Sequence, residues 1–106
     1  NTSVDVLRSG DEAVDLRGAI ARFGEIHPRP DFVQAEGGAH LNASLLDADL
    51  IDEINVTTSP LCVGGSGPRL TSGANDHSRR YELAQMLIDE QSFVFSRWVR
   101  RQATSP

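Results

Sequence analysis

An α/β fold is predicted for this chain, with parallel βαβ units followed by a C-terminal antiparallel hairpin, and three observations predict it. Short apolar stretches alternate with segments of helical period. A diglycine, Gly37-Gly38, stands at the junction of one such stretch and the helical segment after it. Two runs rich in aromatic and branched residues close the chain on either side of Asp89-Glu90-Gln91-Ser92, as the strands of a hairpin would.

Val4 to Arg8 alternates as a strand, and Ser9 with Glu12 forms a capping box that opens a helix. Ala13, Leu16, Ile20 and Phe23 recur at the spacing that lines one helical face, and Gly24 is its expected stop. Pro28 and Pro30 interrupt the chain before Asp31 to Glu36, a short, mostly apolar strand of the kind buried in a parallel sheet. Strand, helix and strand make a βαβ unit, right-handed by rule. A second helix carries Leu41, Leu45 and Leu46 and yields to a third strand, Glu53 to Ser59, which Pro60 ends, so a second crossover follows. From Gly64 to Ser78 the residues are those of a loop. Gly64-Gly65-Ser66-Gly67 lacks a following apolar helix and reads as a flexible connection rather than a phosphate loop. Arg79 to Ile88 and Ser92 to Arg100 are the hairpin strands, and the tail from Gln102 to Pro106 is expected to fray.

The run from Asp31 to Leu46 carries the chemistry. Gly37 and Gly38 have no Cβ, so a ligand can lie against the backbone where the following helix aims its unpaired N–H groups and positive dipole end. Glu36 sits just before them, at the carboxyl end of the expected strand, where open α/β sheets bind their ligands. The same spacing also makes an ordinary sharp βα turn, in which Glu36 caps the turn or pairs with an arginine.

The stretch from Phe32 to Gly65 resembles the RibD C-terminal family, the reductase domain of bacterial riboflavin biosynthesis and a relative of dihydrofolate reductase. The residues that carry the resemblance are Glu36-Gly37-Gly38, Leu41, Asp52-Glu53-Ile54, Val56, Ser59-Pro60 and Gly64-Gly65. Upstream, Val4 to Val14 is similar to the strand and helix that precede the diglycine turn in that superfamily, so the likeness covers most of the chain. The family often has proline after the glycines, where this chain has Ala39. Proline only presets a first helical turn, and alanine leaves the N–H groups in place. His40 is not a residue the family leads one to expect.

The resemblance implies a dihydrofolate-reductase-like mixed sheet and an NADPH-dependent reductase. Its substrate would be a phosphoribosylamino-pyrimidine, with hydride delivered to the ribose C1′ and the cofactor doing the hard step. It implies that the backbone of Gly37, Gly38, Ala39, His40 and Leu41 grips the cofactor phosphates and that Glu36 holds the substrate. No residue here is assigned to proton donation; the proton would come from elsewhere in the domain or from water. At 106 residues the chain is one domain at most and corresponds to the carboxyl-terminal half of such a reductase. Sheet edges left without neighbours would make that half prone to self-association in isolation. A homodimer is expected by analogy with the family. The alternatives are a dihydrofolate or other pteridine reductase, which usually carries an apolar residue where this chain has Glu36, and a reductase-like module that binds without catalysing.

Composition narrows the rest. With 39% hydrophobic and 24% charged residues and a formal net charge of −5, the chain is an ordinary soluble domain whose sign is wrong for a nucleic-acid surface. Arg97, Arg100 and Arg101 alternate with apolar residues as a solvated strand face does, and Asp47, Asp49, Asp52 and Glu53 lack helical order and read as a solvated run. No apolar stretch approaches the roughly 20 residues of a membrane span. Cys62 is the single cysteine, so no internal disulfide forms, and His27, His40 and His77 lack metal-ligand spacing. A cytoplasmic location is expected, which makes the Asn-x-Ser/Thr matches at Asn1, Asn42 and Asn55 coincidental.

Overall fold

The structure is a computed structural model that describes residues 4, 6–76 and 78–101. The elements in chain order are α1 (Leu16–Arg22), a 3-10 turn (Phe23–Glu25), α2 (Ala39–Asp47), β1 (Glu53–Thr58), β2 (Tyr81–Ile88) and β3 (Val94–Arg100). They fall into two compact units, one drawn from Asn1–Leu50 with Leu70–Ala74 and the other from Ile51–Arg69 with Asn75–Pro106.

In the first unit α1 starts later than the sequence suggests. Asp15, not Ser9, is the N-cap, and its carboxylate accepts from the Gly18 N–H at 3.1 Å. Ser9 instead donates from Oγ to the Asp15 carbonyl at 2.8 Å, while the Asp15 N–H returns to the Ser9 carbonyl at 2.9 Å. The hydroxyl chosen as a cap thus closes the loop that leads to the cap. Gly24 lies in the 3-10 turn, and the α-helix ends one residue before that turn begins. The Arg17 guanidinium donates to the Ala48 carbonyl, an orphan acceptor at the end of α2. α2 supplies the buried residues found among those described, Ala43 and Leu45.

The expected strands at Val4–Arg8 and Asp31–Glu36 are not formed. Asp5 lies outside the described residues; Val4, Val6 and the residues to Arg8 are not in a strand, and Val4 and Val6 stand exposed. Asp31–Glu36 is likewise irregular, with Phe32 78% and Val33 51% exposed. A strand exists only where a neighbouring strand takes up its N–H and C=O groups, and no strand among the described residues pairs with either segment. The parallel crossovers that these strands would build are therefore not present among the described residues.

The second unit is a three-stranded sheet in the order β1-β3-β2, antiparallel throughout. The hairpin of β2 and β3 is where the sequence puts it, but β3 lies between β2 and β1, so those two run parallel to each other without touching. The hairpin turn is held by Asp89, whose Oδ1 accepts from the N–H groups of Gln91 (2.8 Å) and Phe93 (2.9 Å), with Ser92 at φ 68°. Asn55, Thr57, Phe95 and Arg97 share one face, and Ile54, Val56, Val94, Ser96 and Trp98 the other. The Tyr81 hydroxyl donates to the Ile51 carbonyl at 2.7 Å, anchoring β2 to the chain entering β1. The environment of His77 and the expected fraying of Gln102–Pro106 lie outside the described residues. Among the described residues no helix is long and apolar enough to cross a membrane.

Candidate functional site around the diglycine turn

Gly37 has φ +75°, in the left-handed region that favours glycine, and a Cβ there would come within 3.2 Å of Asn42 Nδ2. The peptide joining it to Gly38 is cis. Gly38 is the N-cap of α2 in extended backbone, and no side chain caps the helix. Its carbonyl accepts the first helical bond, from Asn42 N–H at 2.9 Å. The N–H groups of Ala39, His40 and Leu41 are thus the orphan donors of the helix start, with no acidic side chain in the first turn to occupy them. A Cβ on Gly38 would meet nothing within 4 Å, so the space beside these donors is open to a ligand.

Glu36 is exposed one residue before the turn, and its Oε1 accepts from Gln34 Nε2 at 3.0 Å. The expected pairing alternatives, a turn cap or an arginine, are not the bond the structure gives it. His40 is exposed on the first turn of α2 and Leu41 is 39% exposed. An exposed carboxylate and an uncapped helix start therefore lie close together in the chain, and uncapped helix starts are chemically suited to anions.

Behind the turn runs a strap, Leu70–Ala74. Ser72 N–H donates to the Ala39 carbonyl at 3.1 Å, and Asn42 Nδ2 donates to the Leu70 carbonyl at 2.9 Å. Sequence reasoning passed over Asn42 as a chance glycosylation match. The available signal is an asparagine, a poor helix former, one turn into a helix rich in alanine and leucine.

The second unit carries a separate polar cluster. Glu53 accepts from Arg97 Nε at 2.6 Å and from Asn55 Nδ2 at 3.0 Å; Glu53 and Arg97 are solvent-exposed, as the sequence suggests, and also paired across the β1–β3 ladder. Hydrogen bonds from Asn55 and then Arg97 hold the Glu53 carboxyl below the usual glutamate range. The groove beside it, lined by Asn55, Gln85, Phe95 and Arg97 among others, encloses about 230 Å³, less than the roughly 300 Å³ at which small-molecule sites begin. Cys62 is free and exposed, and no cluster among the described residues could hold a metal ion.

Two helices and a three-stranded antiparallel sheet make this a small α/β protein, with an uncapped helix start close behind the Glu36 carboxylate in the chain. The sequence profile of the RibD C-terminal domain matches residues 13–95, and the chain belongs to that family. Among solved structures, a pyrimidine reductase-like protein from Corynebacterium diphtheriae superposes with a TM-score of 0.71 at 17% identity, over 87% of this chain and 37% of the other. RibD from Acinetobacter baumannii gives 0.69 at 20% identity, over 85% of this chain and 26% of the other. The chain thus spans well under two thirds of either protein, and the likeness is one of fold. A search with the sequence among curated proteins finds no match.

Proposed function

We propose that the chain is the carboxyl-terminal part of one RibD-type reductase domain, that the domain binds NADPH, and that it reduces a phosphoribosylamino-pyrimidine in riboflavin biosynthesis. The observation that carries this reading is the uncapped start of α2 behind Gly38, open on the side where a Cβ would project. In this reading the N–H groups of Ala39, His40 and Leu41 face the cofactor phosphates, and Gly37 and Gly38 let the backbone approach them. NADPH, when bound, supplies the hydride for the ribose C1′. Glu36 accepts hydrogen bonds from ribose hydroxyls or the ring amine, exchanging its bond from Gln34 for bonds from substrate. Phe32 and Val33, exposed here, become the buried faces of a strand in the complete domain, which restores the parallel crossovers. The same reading makes the protein a cytoplasmic homodimer.

The test is calorimetric NADPH binding to the whole protein that carries this chain, wild type against Gly38→Asp, which sets a carboxylate in the proposed phosphate cradle. Wild type is expected to bind and the variant to lose affinity at least about ten-fold, since a repelled charge forfeits a charge-assisted hydrogen bond. Absence of binding by wild type overturns the reading in favour of a non-catalytic binding module.

A further inference from the structure

The carboxamide of Asn42 stands against the left-handed residue of the diglycine turn. Gly37 is at φ +75°, and a Cβ built there would lie 3.2 Å from Asn42 Nδ2, 3.5 Å from its Oδ1 and 3.6 Å from its Cγ. The whole polar head of the side chain therefore covers Gly37 on that side. The head is itself fixed, since Nδ2 donates to the Leu70 carbonyl at 2.9 Å. The main chain of the same residue holds the second glycine: Asn42 N–H donates to the Gly38 carbonyl at 2.9 Å. Beside Gly38, by contrast, nothing lies within 4 Å of where a Cβ would project. One residue thus braces both glycines from behind and leaves the front clear.

We propose that Asn42 is the positioning residue of the diglycine turn, a wedge that holds Gly37 in its left-handed conformation and so sets the direction of the backbone that follows, including the N–H groups of Ala39, His40 and Leu41. The side-chain chemistry fits that task. Asparagine is among the weaker helix formers, and α2 has no side-chain cap that would call for it at this place. Aspartate has the same shape but no N–H to give the Leu70 carbonyl, alanine leaves the space behind Gly37 empty, and glutamine carries its amide one carbon too far. Glycine is otherwise free to leave φ +75° for the rest of its wide conformational range. An amide clamped against it removes that freedom before a ligand arrives, so the ligand does not meet the ordering cost on binding. The inference rests on the reductase reading and adds to it a residue that touches neither cofactor nor substrate yet governs how tightly the cofactor is held.

Calorimetric NADPH binding to the whole protein that carries this chain tests it, in wild type, Asn42→Ala, Gly37→Ala and the double variant. Alanine raises helix propensity at position 42, so the fold tolerates it. Asn42→Ala is expected to weaken NADPH about ten-fold, the factor that re-ordering about one residue's backbone on binding carries. The kcat at saturating NADPH should hold within about two-fold, because the bound cofactor restores the same turn, whereas a general loosening of the fold would lower kcat too. The two positions should be coupled. In the Gly37→Ala background the new methyl has already displaced the amide, so Asn42→Ala should change affinity by less than about three-fold. Wild-type affinity in Asn42→Ala, a kcat that falls as far as affinity, or equal losses in both backgrounds overturns the inference. If wild type binds no NADPH, the reductase reading fails by itself. Urea midpoints of the same four proteins need no cofactor and then decide whether Asn42 sets the turn, coupling between the two positions upholding it and additivity overturning it.

Discussion

Asn42 and Leu70 are joined by a hydrogen bond of 2.9 Å from the Asn42 amide to the Leu70 carbonyl. The same amide nitrogen stands 3.2 Å from where a Cβ on Gly37 would lie. One side chain therefore ties the strap to α2 and fills the space behind the diglycine turn. The strap in turn rests on the Ala39 carbonyl through Ser72, so the back of the helix start is fastened while its N–H side is left open.

Replacing Asn42 with alanine removes that tie. The lost bond costs about 1 kcal/mol and better helix propensity returns about half of it, so global stability should change little. The strap should respond more: the Ser72 amide, bonded to Ala39, is expected to exchange with solvent at least about ten-fold faster, the factor that corresponds to about 1.4 kcal/mol of local opening. Unchanged protection at Ser72 would show that the strap is held by something other than Asn42.

The two glycines should separate under alanine substitution. Gly37→Ala puts a side chain at φ +75° against Asn42 and is expected to destabilise the fold by about 1–2 kcal/mol. Gly38→Ala meets nothing within 4 Å and lies in extended backbone, so stability should hold within about 0.5 kcal/mol. Its methyl would occupy the space assigned to cofactor, so NADPH affinity should fall. Thermal unfolding and calorimetry on both variants decide the matter; a Gly38→Ala protein that binds NADPH as tightly as wild type removes the steric part of the cradle.

These assignments also show which structure the residues could announce. α2, β1 and the β2–β3 hairpin were legible because their signals are local: glycines at a helix start, an alternating strand, an Asp89-to-Ser92 turn that closes on its own backbone. The start of α1 was misread because Ser9 and Asp15 are both competent caps, and only the folded loop decides that Ser9 bonds to Asp15 itself. Asp31–Glu36 was misread for another reason. Its apolar composition describes a buried strand, but burial and pairing are supplied by neighbours, which composition does not carry. The insertion of β3 between β1 and β2 is likewise a fact of pairing across more than forty residues, as in the Glu53–Arg97 contact. Of the local structure there, the diglycine turn and the start of α2 are legible in the residues, and the strap through Asn42 is not.

Glu53 gives the second unit a pH response. Its folded-state carboxyl titrates below the ordinary glutamate range, chiefly through Asn55 and then Arg97. A depressed carboxyl contributes stability that is present above the unfolded-state value and lost as pH falls through the folded-state value. Glu53→Gln, which keeps the shape but not the charge, should therefore flatten the acid limb of stability, with wild type and variant converging as pH drops below the glutamate range. Urea midpoints across a pH series measure this. An equal acid slope in both proteins would mean that the Glu53–Arg97 pair, at 2.6 Å but with side chains 38% and 49% exposed, is screened out by solvent.

Glu36 separates the substrate half of the reading from the cofactor half. The carboxylate is exposed and bonded to Gln34 at 3.0 Å, so nothing in the fold depends on its charge. Glu36→Gln keeps the size of the group but turns a charged acceptor into a neutral amide, and loss of a hydrogen bond to a charged group costs about 1.5–3 kcal/mol, or about 10- to 150-fold. That loss should fall on substrate KM and kcat/KM of the whole reductase, with NADPH affinity unchanged, because the cofactor phosphates are assigned to backbone N–H groups that the substitution does not touch. A matching loss in NADPH affinity would instead place Glu36 beside the cofactor. Full activity in the variant would leave the carboxylate as a surface group whose only role is its bond from Gln34.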